Sequence, residues 1–247
     1  MSNKLCAVIP VYRHGETAGA VVRALAENGI SSVLVDDGNT GTSKKALYAI
    51  KDEFPDADIV PLKKNGGKGA AVCAGLLRAH GLGYTHALQI DADGQHDPAS
   101  IPFFAKAAAK HPDDLICGLP AYDATAPKSR ETGRKITNFW VMLETLSMDI
   151  PDAMCGFRVY PLRQVCPIVK KGFSDYRMGF DIEILVRLHW AGISIRFYPV
   201  KVIYTKNGIS NFRMLRDNIA ISKTHALLFL GMIPRIPRIL IHKRKGK

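Results

Sequence analysis

Tyr84-Thr85-His86-Ala87-Leu88-Gln89-Ile90-Asp91-Ala92-Asp93-Gly94-Gln95-His96 is an apolar run of strand length that stops at two carboxylates spaced one residue apart. In extended backbone the side chains of residues i and i+2 share a face, so Asp91 and Asp93 can converge just past a buried strand. Two hard oxygen donors on one side suit a divalent cation such as Mg²⁺ or Mn²⁺, which keeps its other positions for water and phosphate oxygens. The same tripeptide also reads as an Asp-rich turn closing a strand. The neighbouring chain has to decide between the two.

Working outward, Leu5–Val11, Ser32–Asp36 and Ala57–Leu62 are further apolar runs of strand length, and between them lie helical patterns. Glu16–Asn28 carries Ala20, Val21, Ala24 and Leu25 at helical spacing and stops at Gly29; Ser43–Phe54 ends before Pro55; Lys68–His80 ends before Gly81. Strand and helix alternate about four times in the first hundred residues, which calls for a mostly parallel central sheet with helices on both faces, an α/β class. Ligands of such sheets bind beyond the carboxyl ends of the strands. The polar clusters Tyr12–Glu16, Asp36-Asp37-Gly38, Asn65–Gly69 and Asp91–Gln95 all fall there. Four polar clusters on one rim describe a site, and this favours the cation reading of Asp91 and Asp93.

Composition narrows the class. The chain has 247 residues, 47% hydrophobic and 23% charged, enough for one large core. Its formal charge of +12 is local: from Lys201 onward there are 11 Lys and Arg against one acid, Asp217. That concentration needs a local anionic partner, which nucleic acid, a membrane surface or a phosphorylated substrate could provide. Five cysteines without C-x-x-C spacing, after a start with no signal-peptide pattern, lead us to expect a cytosolic, reducing setting. No G-x-G-x-x-G follows the first strand, and Gly67-Lys68 fails as a P-loop because Leu62 and Gly69 stand where Gly and Ser or Thr are required. Asn65-Gly66-Gly67-Lys68-Gly69 can still turn sharply into a helix and offer Lys68 near a phosphate or ribose.

The order Ile9-Pro10-Val11-Tyr12, Val35-Asp36-Asp37-Gly38, Asn65-x-Gly67-Lys68-Gly69, Asp91-Ala92-Asp93-x-Gln95-His96 resembles the family 2 glycosyltransferases of GT-A (Rossmann-like) fold, in particular the dolichol- and polyprenyl-phosphate mannosyl- and glucosyltransferase branch. The resemblance continues through Cys155-Gly156-Phe157-Arg158, Phe180-Asp181-Ile182-Glu183 and Asn207–Phe212, covering roughly residues 4 to 215. It implies a nucleoside-diphosphate sugar donor held by Pro10, Tyr12, Glu16, Asp37, Lys68, Asp91, Ala92 and Asp93. Glu16 stands two positions later than the acid of that branch's Pro-x-Tyr-Asn-Glu. A divalent cation would be held by Asp91 and Asp93 as D-x-D carboxylates with Gln95 as a further ligand, and Asp91, Asp93 and Asp181 would form the catalytic set. A lipid-linked acceptor would meet Arg158, Lys206, Ser210 and Arg213.

Arg158 reads equally as a structural arginine pairing Asp152 or Glu183. A phosphate acceptor is ionised at neutral pH and needs no base; a hydroxyl acceptor would call on Asp181, Glu183 or Asp152. We expect a catalytic domain over residues 1–210 and a basic amphipathic helical tail over 211–247. Phe212, Leu215, Ile219, Ala226, Phe229, Leu230 and Ile233 fall on or near one helical face, Ala226–Ile233 is too short an apolar run to span a bilayer, and Pro234 and Pro237 break any long helix. Such a tail fits an anionic membrane surface, with the protein peripheral at the cytoplasmic face, or else a basic amphipathic helix docked on the catalytic core or a partner; Ile236, Ile239, Leu240 and Ile241, left without a core by the prolines, favour the membrane. The tail's many apolar residues and few aromatics argue against nucleic acid as the partner.

Overall fold

The computed structural model describes residues 4–121, 128–202 and 214–245. Seven strands form one sheet: β1 (Leu5–Val11), β2 (Ser31–Asp36), β3 (Asp58–Pro61), β4 (His86–Gln89), β5 (Leu115–Ala121), β6 (Arg158–Pro161) and β7 (Ile195–Lys201). The helices are α1 (Gly15–Glu27), α2 (Gly41–Glu53), α3 (Lys68–Gly81), α4 (Ile101–Lys110), α5 (Lys128–Thr145), α6 (Leu162–Val169), α7 (Phe180–Trp190), α8 (Met214–Met232) and α9 (Ile236–Lys245). The strand order is β3-β2-β1-β4-β6-β5-β7. β1 to β4 run parallel, β5 and β7 run parallel to each other, and β6 is antiparallel to both neighbours.

The alternation expected from the sequence is what builds this sheet. In β1, Ala7, Ile9 and Val11 face one core with α1, α2 and α4, while Cys6 and Val8 face the other with α3, α6, α7 and α8. A strand buried on both faces has no polar alternation, which is why β1 and β2 read as continuous apolar runs. Helix α1 buries Ala18, Val21, Val22 and Leu25 at helical spacing and stops where Gly29 turns to φ +67°. Gly75 brings α3 close to the sheet: a Cβ there would lie 2.3 Å from Val8 Cγ1. β4 is shorter than the apolar run suggested, because its ladder to β6 ends where Gln89 meets Arg158. Freed of the ladder at that point, the chain turns and presents Asp91 and Asp93 beyond the sheet.

The C-terminal helices differ from the expectation at the two prolines. Pro234 and Pro237 each sit at the opening of a helical segment, where a missing N–H costs nothing. The helical path therefore continues through the 3₁₀ turn Ile233–Arg235. Leu215–Ile241 is, by length and composition alone, long and apolar enough to cross a membrane, a longer stretch than the eight-residue run Ala226–Ile233. A second apolar face adds to the one read from the sequence. Leu228, Met232 and Ile239 are buried against the core shared with α5 and α7, whereas Leu215 (80% exposed), Ile219, Leu230 and Ile233 point away. Apolar residues thus lie on both sides of this segment.

A buried polar contact ties it down. His225 Nδ1 of α8 lies 2.7 Å from Glu144 Oε1 of α5, and Trp190 Nε1 of α7 donates to the Glu144 carbonyl at 2.8 Å. Burial pushes the Glu144 carboxyl above its ordinary value, against the His225 contact.

Candidate active site

The carboxyl ends of β1, β2 and β4 open into a cleft of about 670 Å³. At its β1 wall are Pro10, Tyr12, Arg13 and His14. Arg13 takes φ +61°, a left-handed conformation costly for a side-chain-bearing residue, and is held there by its N–H donating to Asn39 Oδ1 at 2.7 Å. The Asn39 amide in turn donates to the Val11 carbonyl (2.7 Å) and to Asp36 Oδ1 (2.8 Å). Asp36 is thereby committed to the turn, and its neighbour Asp37 reaches the cleft wall.

Asp37 organises the glycine turn. Its Oδ1 accepts from Gly66 N–H at 2.7 Å, and its Oδ2 from Gly67 N–H at 3.1 Å and from the Asn65 amide at 2.9 Å. Burial pushes its carboxyl upward and these backbone donors resist. Gly67 is at φ +95°, where a Cβ would also meet the Tyr176 carbonyl at 2.6 Å; only glycine fits. The turn launches α3 with Lys68 at its first position.

Lys68 enters the centre of the site. Its Nζ is 3.0 Å from Asp91 Oδ1 and 3.1 Å from Asp91 Oδ2, and 3.1 Å from Asp181 Oδ2 on the first turn of α7. Burial opposes the ammonium charge, but the Asp181 and Asp91 carboxylates outweigh it and hold the amine above its ordinary range. Gly156 makes the room, since a Cβ there would stand 2.4 Å from Nζ. Asp91 resists burial through Lys68 and His96 and ends below the ordinary carboxylate range. Asp93 is pushed up by burial and by the Asp91 charge beside it.

The Asp91–Asp93 loop is anchored on three sides. Thr17 Oγ1 of α1 donates to the Ala92 carbonyl at 2.6 Å, Gln95 N–H donates to Asp93 Oδ1 at 3.0 Å, and Asp97 N–H donates to the Lys201 carbonyl of β7 at 3.2 Å. His96 is buried against Phe157, ring centroids 5.1 Å apart, with Nε2 3.9 Å from Asp91 Oδ2. Burial lowers its pKa, against the pull of the Asp91 and Asp93 carboxylates.

The donor set fits a divalent cation. Asp91 Oδ1, its ion-pair distance to Lys68 aside, is buried without a hydrogen bond, and burial and the Asp91 charge push the Asp93 carboxyl up, a strain that a bound cation would relieve. Gln95 lines the same cleft. Among the described residues no cluster of three His, Cys, Asp or Glu side chains is set to hold a metal. Two carboxylates suit a cation whose remaining ligands come from water and a bound diphosphate.

Of the residues expected from the sequence, Pro10, Tyr12, Asp37, Lys68, Asp91, Ala92, Asp93, Gln95 and Asp181 line this one cleft. Glu16 does not: it is exposed on α1 and absent from the cleft wall, since its place two residues later turns it to the outer side. Arg158 is also corrected as an acceptor residue. It is 1% exposed, its guanidinium donates to the carbonyls of Ala153 and Asp181 at 2.9 Å each, and the carboxylate near it is Asp181 at 4.0 Å, neither Asp152 nor Glu183. Lys206, Ser210 and Arg213 lie outside the described residues.

Glu183 faces away from the cleft, accepting from Ser174 N–H (2.8 Å) and Oγ (2.6 Å). Asp152 caps the Met154 and Cys155 N–H groups and pairs with Arg134. The structure adds residues that sequence reading had not picked out. Arg177 donates to Asn65 Oδ1 at 3.0 Å across 112 residues of chain, and Arg216 and Asp217 arrive from α8. No local pattern marks them, because each reaches the cleft through tertiary packing. His96 could have been found: it closes the Asp91–His96 motif.

Comparison with known proteins agrees with this geometry. The chain is 27% identical over 163 residues to a dolichyl-phosphate beta-glucosyltransferase of Dictyostelium discoideum, an alignment covering 62% of this chain and 49% of that one. It is 23% identical over 223 residues to a UDP-N-acetylglucosamine–dolichyl-phosphate N-acetylglucosaminyltransferase of Methanococcus voltae, covering 83% and 88%. The chain thus spans about half the length of the first relative and most of the second. Among solved structures, glucosyl-3-phosphoglycerate synthase from Mycobacterium tuberculosis, in complex with Mn²⁺, UDP-glucose and phosphoglyceric acid, superposes with a TM-score of 0.65. That likeness covers 94% of this chain and 80% of that one at 14% identity, and shows a common GT-A fold. The glycosyl transferase family 2 model matches residues 6–165, which contain β1 to β4, the glycine turn and the Asp91–Asp93 loop, and this chain belongs to that family.

Proposed function

We propose that this protein transfers a hexosyl unit, with inversion, from a nucleoside-diphosphate sugar to the phosphate of a membrane polyprenyl phosphate. The observation that carries the choice of acceptor is the state of the three acids that could serve as a base. Asp181 is engaged by Lys68, Glu183 by Ser174 and Arg187, and Asp152 by Arg134 and two N–H groups. An acceptor that arrives already ionised needs none of them. The names of the Dictyostelium and Methanococcus relatives point the same way.

In this reading Pro10 and Tyr12 line the nucleoside, and Asp37 keeps the glycine turn in shape so that Lys68 faces the diphosphate. A divalent cation held by Asp91 and Asp93, with Gln95 beside them, supplies the charge that neutralises the departing diphosphate. An acceptor phosphate oxygen attacks the anomeric carbon from the face opposite the diphosphate, and the electron pair of the breaking bond leaves on the phosphate oxygen. Arg216, from α8, and Arg177, beside Asn65 on the cleft wall, hold the incoming phosphate.

The approach of a lipid is supported by the outer surface. Leu215, Ile219, Leu230 and Ile233 of α8 and its following turn, together with Ile136, Phe139 and Trp140 of α5, are exposed apolar residues, and Arg235 and Arg238 are exposed on the same C-terminal segment. We read residues 211–247 as the membrane-facing part and 1–210 as the catalytic part. The five cysteines are all free and buried, in keeping with a cytoplasmic setting.

Screening labelled UDP-, GDP- and dTDP-sugars with polyprenyl phosphate and Mn²⁺ or Mg²⁺ should yield an organic-extractable product cleaved by mild acid. A product that resists mild acid would move the acceptor to a hydroxyl, and no transfer from any donor would overturn the reading. On vesicles containing anionic lipid, the Ile219→Glu/Leu230→Glu double variant should bind at least about tenfold more weakly than the parent, since two charges replace apolar contacts with the acyl boundary. Equal binding of the two proteins would place the contact elsewhere.

A further inference from the structure

The centre of the cleft holds more carboxylate than one bound cation requires. Asp91 and Asp181 meet at Lys68, which is seated between them within 3.1 Å of each, and Asp93 lies beside Asp91. The seat is built: the Gly67 backbone turns only as glycine can, and Gly156 leaves the volume that Nζ fills. Asp181 is itself fixed from behind, by Gln89 Nε2 at 3.4 Å and by Arg158, whose guanidinium holds the Asp181 carbonyl. Lys68 therefore has two alternative carboxylate partners, of which only Asp91 belongs to the Asp-x-Asp pair. An ammonium and a divalent cation cannot share Asp91 without strong mutual repulsion at such distances.

We propose that Lys68 is a built-in counter-cation that competes with the divalent cation for Asp91, with Asp181 as the seat to which it withdraws. The inference rests on the reading of Asp91 and Asp93 as the cation site. With Lys68 bridging both acids, the free protein holds a divalent cation weakly. A nucleoside diphosphate changes this balance, because its phosphate oxygens give the displaced ammonium a new anionic partner and give the cation additional ligands. Cation and donor consequently bind cooperatively, and each raises the affinity of the other by the same factor. Asp181 is then a positioning residue, acting on the cation through Lys68.

The test is Mn²⁺ binding to the full chain without nucleotide, followed by electron paramagnetic resonance of the free ion, for the parent and for Lys68→Met, Asp181→Asn and Asp91→Asn. Lys68→Met should bind Mn²⁺ about tenfold more tightly than the parent, because its competitor is gone. Asp181→Asn should bind it several-fold more weakly, although Asp181 is not one of the metal's carboxylates, because the ammonium is then confined to Asp91. Adding UDP or GDP should tighten Mn²⁺ binding strongly in the parent and much less in Lys68→Met.

Unchanged or weaker binding in Lys68→Met, where the parent's binding is lost in Asp91→Asn, overturns the inference and leaves the cation site standing. Mn²⁺ binding that is indifferent to Asp91→Asn in every background overturns the cation site itself. If Lys68→Met does not fold, the Asp181→Asn result decides alone: equal or tighter binding there refutes the competition.

Discussion

Asp93→Ala should lower glycosyl transfer by about a thousandfold while leaving the fold in place. The rate follows from where charge develops: as the bond to the diphosphate breaks, negative charge builds on an oxygen that only a nearby cation can stabilise, and losing a preorganised electrostatic partner of this kind costs about 10²–10³ or more in rate. The stability side follows from what Asp93 does in the folded chain. Its carboxylate accepts one backbone hydrogen bond, from Gln95 N–H, and is pushed up by burial and by Asp91. Removing it loses a bond worth about 1 kcal/mol and relieves a like-charge contact of the opposite sign. Thermal melting should therefore stay within a few degrees of the parent. Transfer within tenfold of the parent, assayed with the donor found active, would falsify the site assignment.

Arg158→Met should lower the melting temperature by roughly 10 °C. A buried, hydrogen-bonded guanidinium removed without its partners costs about 3–5 kcal/mol, and each kcal/mol moves a chain of this size by about 2–4 °C. The partners left behind are the Ala153 and Asp181 carbonyls, which lose their donors at 2.9 Å, and the Asp181 carboxylate at 4.0 Å. Activity should fall mainly in kcat, since Asp181 and through it Lys68 and Asp91 shift, with the KM for acceptor little changed. The reverse pattern, a raised acceptor KM with an unchanged melting temperature, would return Arg158 to the acceptor site.

Those two residues also mark how far the primary structure is legible. Asp93 sits in a local pattern, an apolar run ending in i and i+2 carboxylates, and the pair is brought together in a turn over Ala92–Asp93 rather than in extended backbone, which is local geometry too. Arg158 sits in an equally distinctive pattern, Cys155-Gly156-Phe157-Arg158, but its direction depends on β6 lying antiparallel between β4 and β5. That strand order is set by the return of the chain after α5, and nothing within a few residues of Arg158 announces it. The C-terminal segment teaches the same lesson. Apolar periodicity identified a helix there and its outward face with Leu230 and Ile233, but not the second face, Leu228 and Met232, that meets the core. Which side docks depends on α5 and α7, the helices it meets.

The sequence by itself determined the alternation of β1 to β4 with α1 to α3, the rim on which the polar clusters gather, and the pairing of Asp91 with Asp93. These follow from periodicity and from turn residues, properties of short stretches of chain. Only the tertiary structure decided that Lys68 lies between Asp91 and Asp181, that Arg158 is buried behind them, and that Arg177 and Arg216 complete the cleft. Each of these contacts joins residues far apart along the chain, so its existence depends on how whole elements pack, and packing is a property of the assembled core.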